Sequence, residues 1–192
     1  ADEMLAALLA GRKLDRAYVN NGGDSALHIG TGRSMGLAVA GTGNGLADRI
    51  TIRSEDGVRG VATSGWRRRS FSLGIADAVT VLARTGAEAD AAATLIANAV
   101  DLPGNPAIRR VPAHELSPDS DLGPRLVTQA VGTLAFGEVA RALDNGLAVA
   151  EDFRRRGLIA GSALFLGGEA RISGSVALAA PNKIPGKEVA HA

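Results

Sequence analysis

The sequence contains no cysteine, three histidines and 3% aromatic residues in a chain of 192. Without cysteine, disulfides, thiolate metal centres and cysteine nucleophiles are excluded. The few aromatic side chains leave little surface on which nucleic-acid bases could stack. Basic and acidic residues number 21 and 20, a net charge of +1, whereas polyanion binders concentrate positive charge. The composition therefore argues against a nucleic-acid partner.

Long apolar runs are also missing. No run approaches the roughly 18 residues that a membrane span needs, and no segment combines a basic start, an apolar stretch and a cleavage site. We therefore expect a soluble, cytoplasmic protein with no membrane partner. The 46% of hydrophobic residues is enough for one globular domain with a core.

Short strand-like runs and a few helical patterns follow one another along the chain. Apolar periodicity predicts helices over residues 1–11, 88–100 and 138–156. Strands are predicted over residues 17–20, 26–30, 35–40, 49–53, 58–63, 78–83, 159–166 and 169–172. Segregated hairpins with few helices are typical of the α+β class rather than of alternating βαβ units.

Turn residues predict how these strands connect. Glycine-rich links at residues 31–34, 55–57 and 167–168 predict three hairpins. Residues 111–124 contain three prolines and predict a long surface loop. We expect a single domain over residues 1–175 and a flexible tail over 176–192, which has little to pack.

One catalytic motif occurs out of context. Residues 32–36 match Gly-x-Ser-x-Gly, but a strand follows Ser34 where a nucleophile elbow needs a helix, so a loop between strands is favoured. The hydrolase alternative instead uses Ser64 or Asp24 with His28, although their spacing is not that of a known triad.

Two strand ends offer candidate ligand-binding residues. The first is followed by the turn Asn21, Gly22, Gly23 and Asp24, where glycines let backbone amides approach a ligand. The second ends in Thr63, Ser64 and Gly65, with two hydroxyl groups. Each segment is equally compatible with an ordinary turn.

Arg67 begins a run of three arginines after Trp66 and is the candidate anion clamp, because a guanidinium suits phosphate. A solvated surface cluster explains the same run.

In the helix of residues 88–100, Asp90 and Thr94 are four apart and share one face. A carboxylate and a hydroxyl can supply oxygen ligands to magnesium, and a solvent-facing polar stripe is the alternative.

Taken in order, these segments resemble a known superfamily. Residues 19–24, 62–65, 79–83 and 87–94 resemble the ApbE-like superfamily, which includes the FAD:protein FMN transferases once linked to thiamine biosynthesis. Residues 66–101 and 117–123 are similar to a smaller, uncharacterised ApbE-like branch. The resemblance implies that the Gly-Gly-Asp and Thr-Ser-Gly segments line a site for FAD or FMN. It also implies that Asp90 and Thr94 bind magnesium.

The chain departs from the transferases in two places. Residues 66–77 contain neither the histidine nor the proline that the transferases carry there. The chain also begins within a helix, so the resemblance implies that an N-terminal fragment or a second copy completes the site.

The expected function is binding of a phosphate-bearing or flavin-like small molecule with magnesium. If the protein is an enzyme, a transferase is expected, and a non-catalytic binding or assembly module is the alternative.

Overall fold

A six-stranded antiparallel sheet runs through the computed structural model, which describes residues 1–38, 49–67, 70–174 and 178–179. The helices are α1 Asp2–Leu9, α2 Gly86–Ala99, α3 Ala113–Leu116 and α4 Phe136–Arg155. The strands are β1 Arg16–Asn20, β2 Asp24–Ile29, β3 Ser34–Ala38, β4 Arg49–Arg53, β5 Gly60–Ser64, β6 Ala78–Ala83, β7 Ile108–Pro112, β8 Leu126–Val131, β9 Gly161–Leu166, β10 Glu169–Gly174 and β11 Leu178–Ala179.

The described elements form three layers. The large sheet has the order β1-β2-β5-β6-β9-β10, and a smaller sheet has the order β11-β4-β3. One face of the large sheet packs against α2 and α4, with Ile96 and Leu143 fully buried between them. The opposite face packs against the smaller sheet through Leu27, Ile50 and Ile52. The α+β class predicted from the sequence is confirmed.

The two central strands explain this layering. Every residue of β6 and β9 is buried, because helices cover one face of each strand and the smaller sheet covers the other. Their sequences are accordingly near-continuous apolar runs, without the alternation of a strand with one solvated face. Among the described residues, no helix has both the length and the apolar character needed to cross a bilayer.

Of the three predicted hairpins, only β9–β10 is formed, with the turn at Gly167 and Gly168. The hairpins predicted between β2 and β3 and between β4 and β5 are wrong. In both cases the second strand lies in the other sheet, and β3 instead pairs with β4. Alternation in a sequence indicates which side of a strand is buried, but two packed sheets satisfy the same alternation as one hairpin.

The loop predicted over residues 111–124 is shorter than expected. Strands β7 and β8 form a separate two-stranded sheet, and α3 lies between them. Strand β7 was missed because Arg109, Arg110 and Pro112 give it a composition unlike that of most strands. In the predicted tail, β11 pairs with β4, and the other residues of 176–192 lie outside the described part of the chain.

Helix α2 receives an N-terminal cap from a distant segment. Asp2 Oδ1 and Oδ2 accept hydrogen bonds from the amides of Gly86 and Ala87 at 2.9 and 3.0 Å. The Thr85 hydroxyl accepts a third from Glu88, at 3.1 Å. These bonds satisfy amide groups that a helix start otherwise leaves without partners. The negative charge of Asp2 also interacts favourably with the positive end of the helix dipole.

We expect Asp2→Ala to destabilise the protein by about 1 kcal/mol, because two amides lose their acceptors. Urea unfolding followed by circular dichroism measures the change. Glu3→Ala is the matched control, since Glu3 lies exposed in the same first turn of α1. Equal unfolding midpoints for the two variants would contradict the capping role of Asp2.

Candidate functional site

A cavity of about 480 Å³ lies where the β1–β2 turn, the end of β5 and the first half of α2 meet. Its lining is mostly polar and combines carboxylate, hydroxyl and amide side chains with glycine backbone. The lining residues are Asn20, Asn21, Gly22, Gly23, Asp24, Ala38, Thr63, Ser64, Ser70, Asp90 and Thr94. Three segments that are distant in sequence therefore meet at one site.

The β1–β2 turn is held by its own polar groups. The Asn21 amide donates to Asp24 O at 2.9 Å, and the Gly22 amide donates to Asn20 Oδ1 at 2.7 Å. Gly22 has φ = 79°, a conformation that side chains other than glycine rarely adopt. The turn therefore presents backbone to the cavity in a fixed arrangement.

Strand β5 places its two terminal hydroxyl residues on opposite faces of the sheet. Asp24 lies opposite Ala62 in the β2–β5 register, so Asp24 and Ser64 share the face covered by α2. Thr63 belongs to the other face, where its hydroxyl is 2.9 Å from that of Thr80. The Thr63 amide donates to Gly23 O at 3.1 Å and attaches β5 to the turn.

Helix α2 contributes Asp90 and Thr94, which lie one turn apart on its exposed face. The pKa of Asp90 is raised above its ordinary value of 3.8, first by partial desolvation at the cavity wall and then by the negative charge of Asp24. The two carboxylates thus repel each other across the cavity. Asp24 also lies 3.7 Å from the Ala1 amino nitrogen, measured from Oδ2.

The donor set suits one kind of cation. In the part of the chain that the structure describes, no three His, Asp or Glu side chains form a metal-binding group. Among the described residues, the side chains that line the cavity offer oxygen ligands and no histidine nitrogen, a donor set that suits a hard cation better than zinc. Magnesium is commonly held by one or two carboxylates, with water and substrate phosphate completing its coordination. Asp24, Asp90 and the hydroxyl of Thr94 fit that pattern.

Comparison with known proteins gives the family. The model of the family described as AbpE bacteria matches residues 1–172. The chain belongs to this family. It is also 41% identical over 95 residues to the UPF0280 protein MK0206 of Methanopyrus kandleri. That match covers 49% of this chain and 39% of the relative, so the chain spans about two fifths of the relative's length.

Membership of the AbpE bacteria family corrects the expected resemblance. UPF0280 is a different family from ApbE, so the assignment to the ApbE-like superfamily is wrong. The motifs behind it are short and rich in glycine and hydroxyl residues, which many unrelated ligand-binding turns require. Family membership therefore gives no support to FAD, FMN, thiamine biosynthesis or a missing N-terminal segment.

Most of the predicted site residues of this AbpE bacteria member line the cavity, whereas Gly65 and Arg67 do not. A Cβ atom on Gly65 would lie 2.7 Å from Asp77 O, so this glycine allows close backbone packing. The Arg67 Nε donates to Asp77 Oδ1 at 2.7 Å, and its guanidinium lies 4.7 Å from the centre of the Trp66 ring. Arg68 and Arg69 lie outside the described residues.

The alternative hydrolase residues are not assembled. His28 Nε2 is 3.0 Å from Leu14 O, and His28 is not among the cavity residues. His28 and Asp24 are four residues apart along β2, a separation of roughly 13 Å between Cα atoms. In the β2–β5 register, Ser64 lies beyond Asp24 on the side away from His28. The imidazole therefore does not reach the serine.

Sequence reasoning missed Ala38 and Ser70 as lining residues. Ala38 is the last described residue of β3, and its small apolar side chain gave no reason to select it. Ser70 follows the arginine run, and a single serine beside three arginines gives no pattern that indicates a site. Asn20 also lines the cavity, and its position beside Asn21 and Gly22 was a usable indication.

Proposed function

We propose that the chain binds a phosphate-bearing small molecule together with Mg²⁺ in the cavity between the β1–β2 turn and α2. One observation carries the proposal: the Asp24 and Asp90 carboxylates converge on a single polar cavity from different elements. Their mutual repulsion favours a cation between them, because a divalent ion offsets both charges.

The same charges favour phosphate as the metal's other ligand. Among the described residues, no arginine or lysine lines the cavity, so a bare phosphate would meet two carboxylates with no cationic side chain to offset them. Mg²⁺ offsets the negative charge of the two carboxylates, and it normally retains coordination positions for water and phosphate oxygen. Asp24, Asp90 and the Thr94 hydroxyl would hold the ion, while Ser64 and Ser70 offer hydroxyl donors to the phosphate.

Calorimetric titration with inorganic pyrophosphate tests this proposal. We expect binding in Mg²⁺ and none in EDTA. A parallel thermal shift should reach roughly 5–10 °C when the Mg²⁺–pyrophosphate concentration is about 100 times its Kd. Equal binding in EDTA would contradict the role of the metal. No binding or shift with pyrophosphate under either condition would favour an assembly module without a small-molecule ligand.

The affinity for Mg²⁺ should depend on pH in a way that identifies Asp90. Only the ionised carboxylate binds the cation, and Asp90 has a raised pKa. Affinity is therefore expected to fall as the pH decreases, beginning at a higher pH than for an ordinary aspartate. Titrations of the protein with MgCl₂ between about pH 7 and about pH 4 measure this. In the metal-free protein, the pKa of Asp90 should be lower in Asp24→Asn than in the unaltered chain, because the repelling charge is gone. An NMR titration of the Asp90 carboxyl measures this, and an unchanged pKa would contradict the coupling.

A further inference from the structure

Strand β1 stands at one edge of the large sheet, and among the described strands it pairs with β2 alone. The hydrogen bonds at its two ends fix which residues face β2. The Gly30 amide donates to Asp15 O at 2.8 Å, and the Asn21 amide donates to Asp24 O at 2.9 Å. Every second residue of an antiparallel strand exchanges bonds with its neighbour, and the residues between face the other way. The even-numbered residues of β1 therefore direct their N–H and C=O groups to the open edge.

The residue opposite Tyr18 gives the same alternation from the other strand. Leu27 lies opposite Tyr18, and its amide donates to Arg59 O, on the side away from β1, at 2.7 Å. The backbone groups of Arg16, Tyr18 and Asn20 are thus turned away from β2. A row of such groups is a template on which a further strand can pair.

A groove of about 580 Å³ lies between β1 and β3, which is the edge strand of the smaller sheet. Tyr18 lines it with 64% of its surface exposed, and Met35, Leu37 and Val61 supply apolar side chains. Residues opposite each other in a ladder lie on one face, so Tyr18 shares the face of Leu27, which packs towards the smaller sheet. A residue added opposite Tyr18 would project its side chain into this groove.

One end of the groove carries a positive charge that is not neutralised. The Arg16 Nε donates to Ser34 O, and in the described ranges the Arg16 guanidinium forms no ion pair. Asp15, its neighbour in the sequence, is paired with Arg33 at 3.1 Å. An acidic side chain opposite Arg16 would therefore gain a charge-assisted hydrogen bond.

We propose that the β1 edge binds an extended peptide segment of a partner protein as an added antiparallel strand. All the described strand pairs are antiparallel, and that pairing is the more stable one per residue. The segment carries an apolar residue opposite Tyr18 and, two residues later, an aspartate or glutamate opposite Arg16. Backbone hydrogen bonds supply the affinity, and the groove and Arg16 supply the selectivity. The proposal is independent of Mg²⁺ and phosphate binding.

An NMR titration of the isotope-labelled full chain with the acetylated, amidated peptide Ser-Thr-Ile-Thr-Glu tests the proposal. In the antiparallel register the isoleucine lies opposite Tyr18 and the glutamate opposite Arg16. We expect saturable binding, with slower amide hydrogen exchange at Arg16, Tyr18 and Asn20. Exchange at Ala17 and Val19 should not change, because their amides face β2.

Two methylated peptides test the backbone pairing. Methylation of the isoleucine nitrogen should abolish binding, because that N–H donates to Tyr18 O in the proposed register. Methylation of the preceding threonine nitrogen is the matched control, since that N–H points away from β1 and binding should persist.

The charge is tested by replacing the glutamate of the peptide with glutamine. We expect affinity to fall about two- to fivefold, the range for an exposed ion pair. Arg16→Gln should remove the difference between the two peptides. Arg125→Gln, which changes an exposed arginine in the segment before β8, should retain it.

Three results would overturn the proposal. The first is the absence of peptide binding, and the second is binding that survives methylation of the isoleucine nitrogen. The third is self-association of the free chain that slows exchange at Tyr18, because this would assign the edge to a second copy.

Discussion

Asp90→Asn is expected to abolish the response of the protein to Mg²⁺ while slightly stabilising the metal-free protein. The asparagine amide keeps the shape of the side chain but removes the charge that attracts the cation. Attraction between a divalent ion and a carboxylate in contact is several kcal/mol even at an effective dielectric constant of about 20. We therefore expect the affinity for Mg²⁺ to fall roughly a hundredfold or more.

The stabilisation of the metal-free protein follows from the raised pKa of Asp90. An acid whose pKa is higher in the folded state than in the unfolded state destabilises the fold when it is ionised, so this cost appears as the pH rises through the folded pKa. Removing the charge removes the cost at neutral pH. Asp90 is solvent-exposed, and screening limits the gain to a few tenths of a kcal/mol, or about 1 °C in Tm.

Thermal unfolding in EDTA and calorimetry with MgCl₂ measure the two effects separately. Asp119→Asn is the control, because Asp119 is exposed in the loop that follows α3. The Tm of Asp119→Asn in EDTA and its affinity for Mg²⁺ should match those of the unaltered protein. Asp24→Asn should reproduce the loss of Mg²⁺ binding, and the stability gains of the two variants should not add, since each removes the same repulsion. Retained Mg²⁺ binding in Asp90→Asn would contradict the metal assignment.

The sequence predicts the local parts of the site well. The spacing of Asp90 and Thr94 places both on one helical face, and the structure has them together at the cavity. The sequence also predicts the turn from Asn21 to Asp24, because glycine and asparagine tolerate its backbone conformation. Such predictions need only the geometry of a single element.

The sequence could not predict which distant strands pair with each other. Asp24 approaches α2 because β2 pairs with β5 in the large sheet. In the sequence the two strands are separated by β3 and β4, which belong to the smaller sheet. The apolar alternation of β4 and β5 is the same whether they pair with each other or with different partners. The role predicted for Arg67 depends on long-range contacts in the same way. Its charge predicts a phosphate ligand, but in the fold its guanidinium donates a hydrogen bond to the Asp77 carboxylate.

The other large effect is expected from Gly60→Ala, which should lower Tm by roughly 6–12 °C. A Cβ atom on Gly60 would lie 1.9 Å from Thr85 O and 2.3 Å from Gly86 N. These are backbone atoms at the start of α2, so no side-chain rotation relieves the overlap. Overpacking of this kind costs about 3 kcal/mol when the neighbours cannot move aside.

The consequence for the site follows from the position of the clash. Relief requires the start of α2 to move away from β5, and Asp90 lies about one turn further along that helix. The distance between Asp90 and the Asp24 carboxylate should then change, so we expect weaker Mg²⁺ binding by the folded variant in addition to the lower Tm. Thermal unfolding followed by MgCl₂ titration well below Tm distinguishes these two effects.

Gly137→Ala is the matched control, because among the described residues no heavy atom beyond the neighbouring helix backbone lies within 4 Å of the position that its Cβ would take. Gly137 lies in the first turn of α4, so alanine should be neutral or stabilise the protein by up to about 1 kcal/mol. If Gly60→Ala unfolds at the same temperature as Gly137→Ala, α2 does not pack directly on β5. The placement of Asp90 at the cavity would then lose its structural basis.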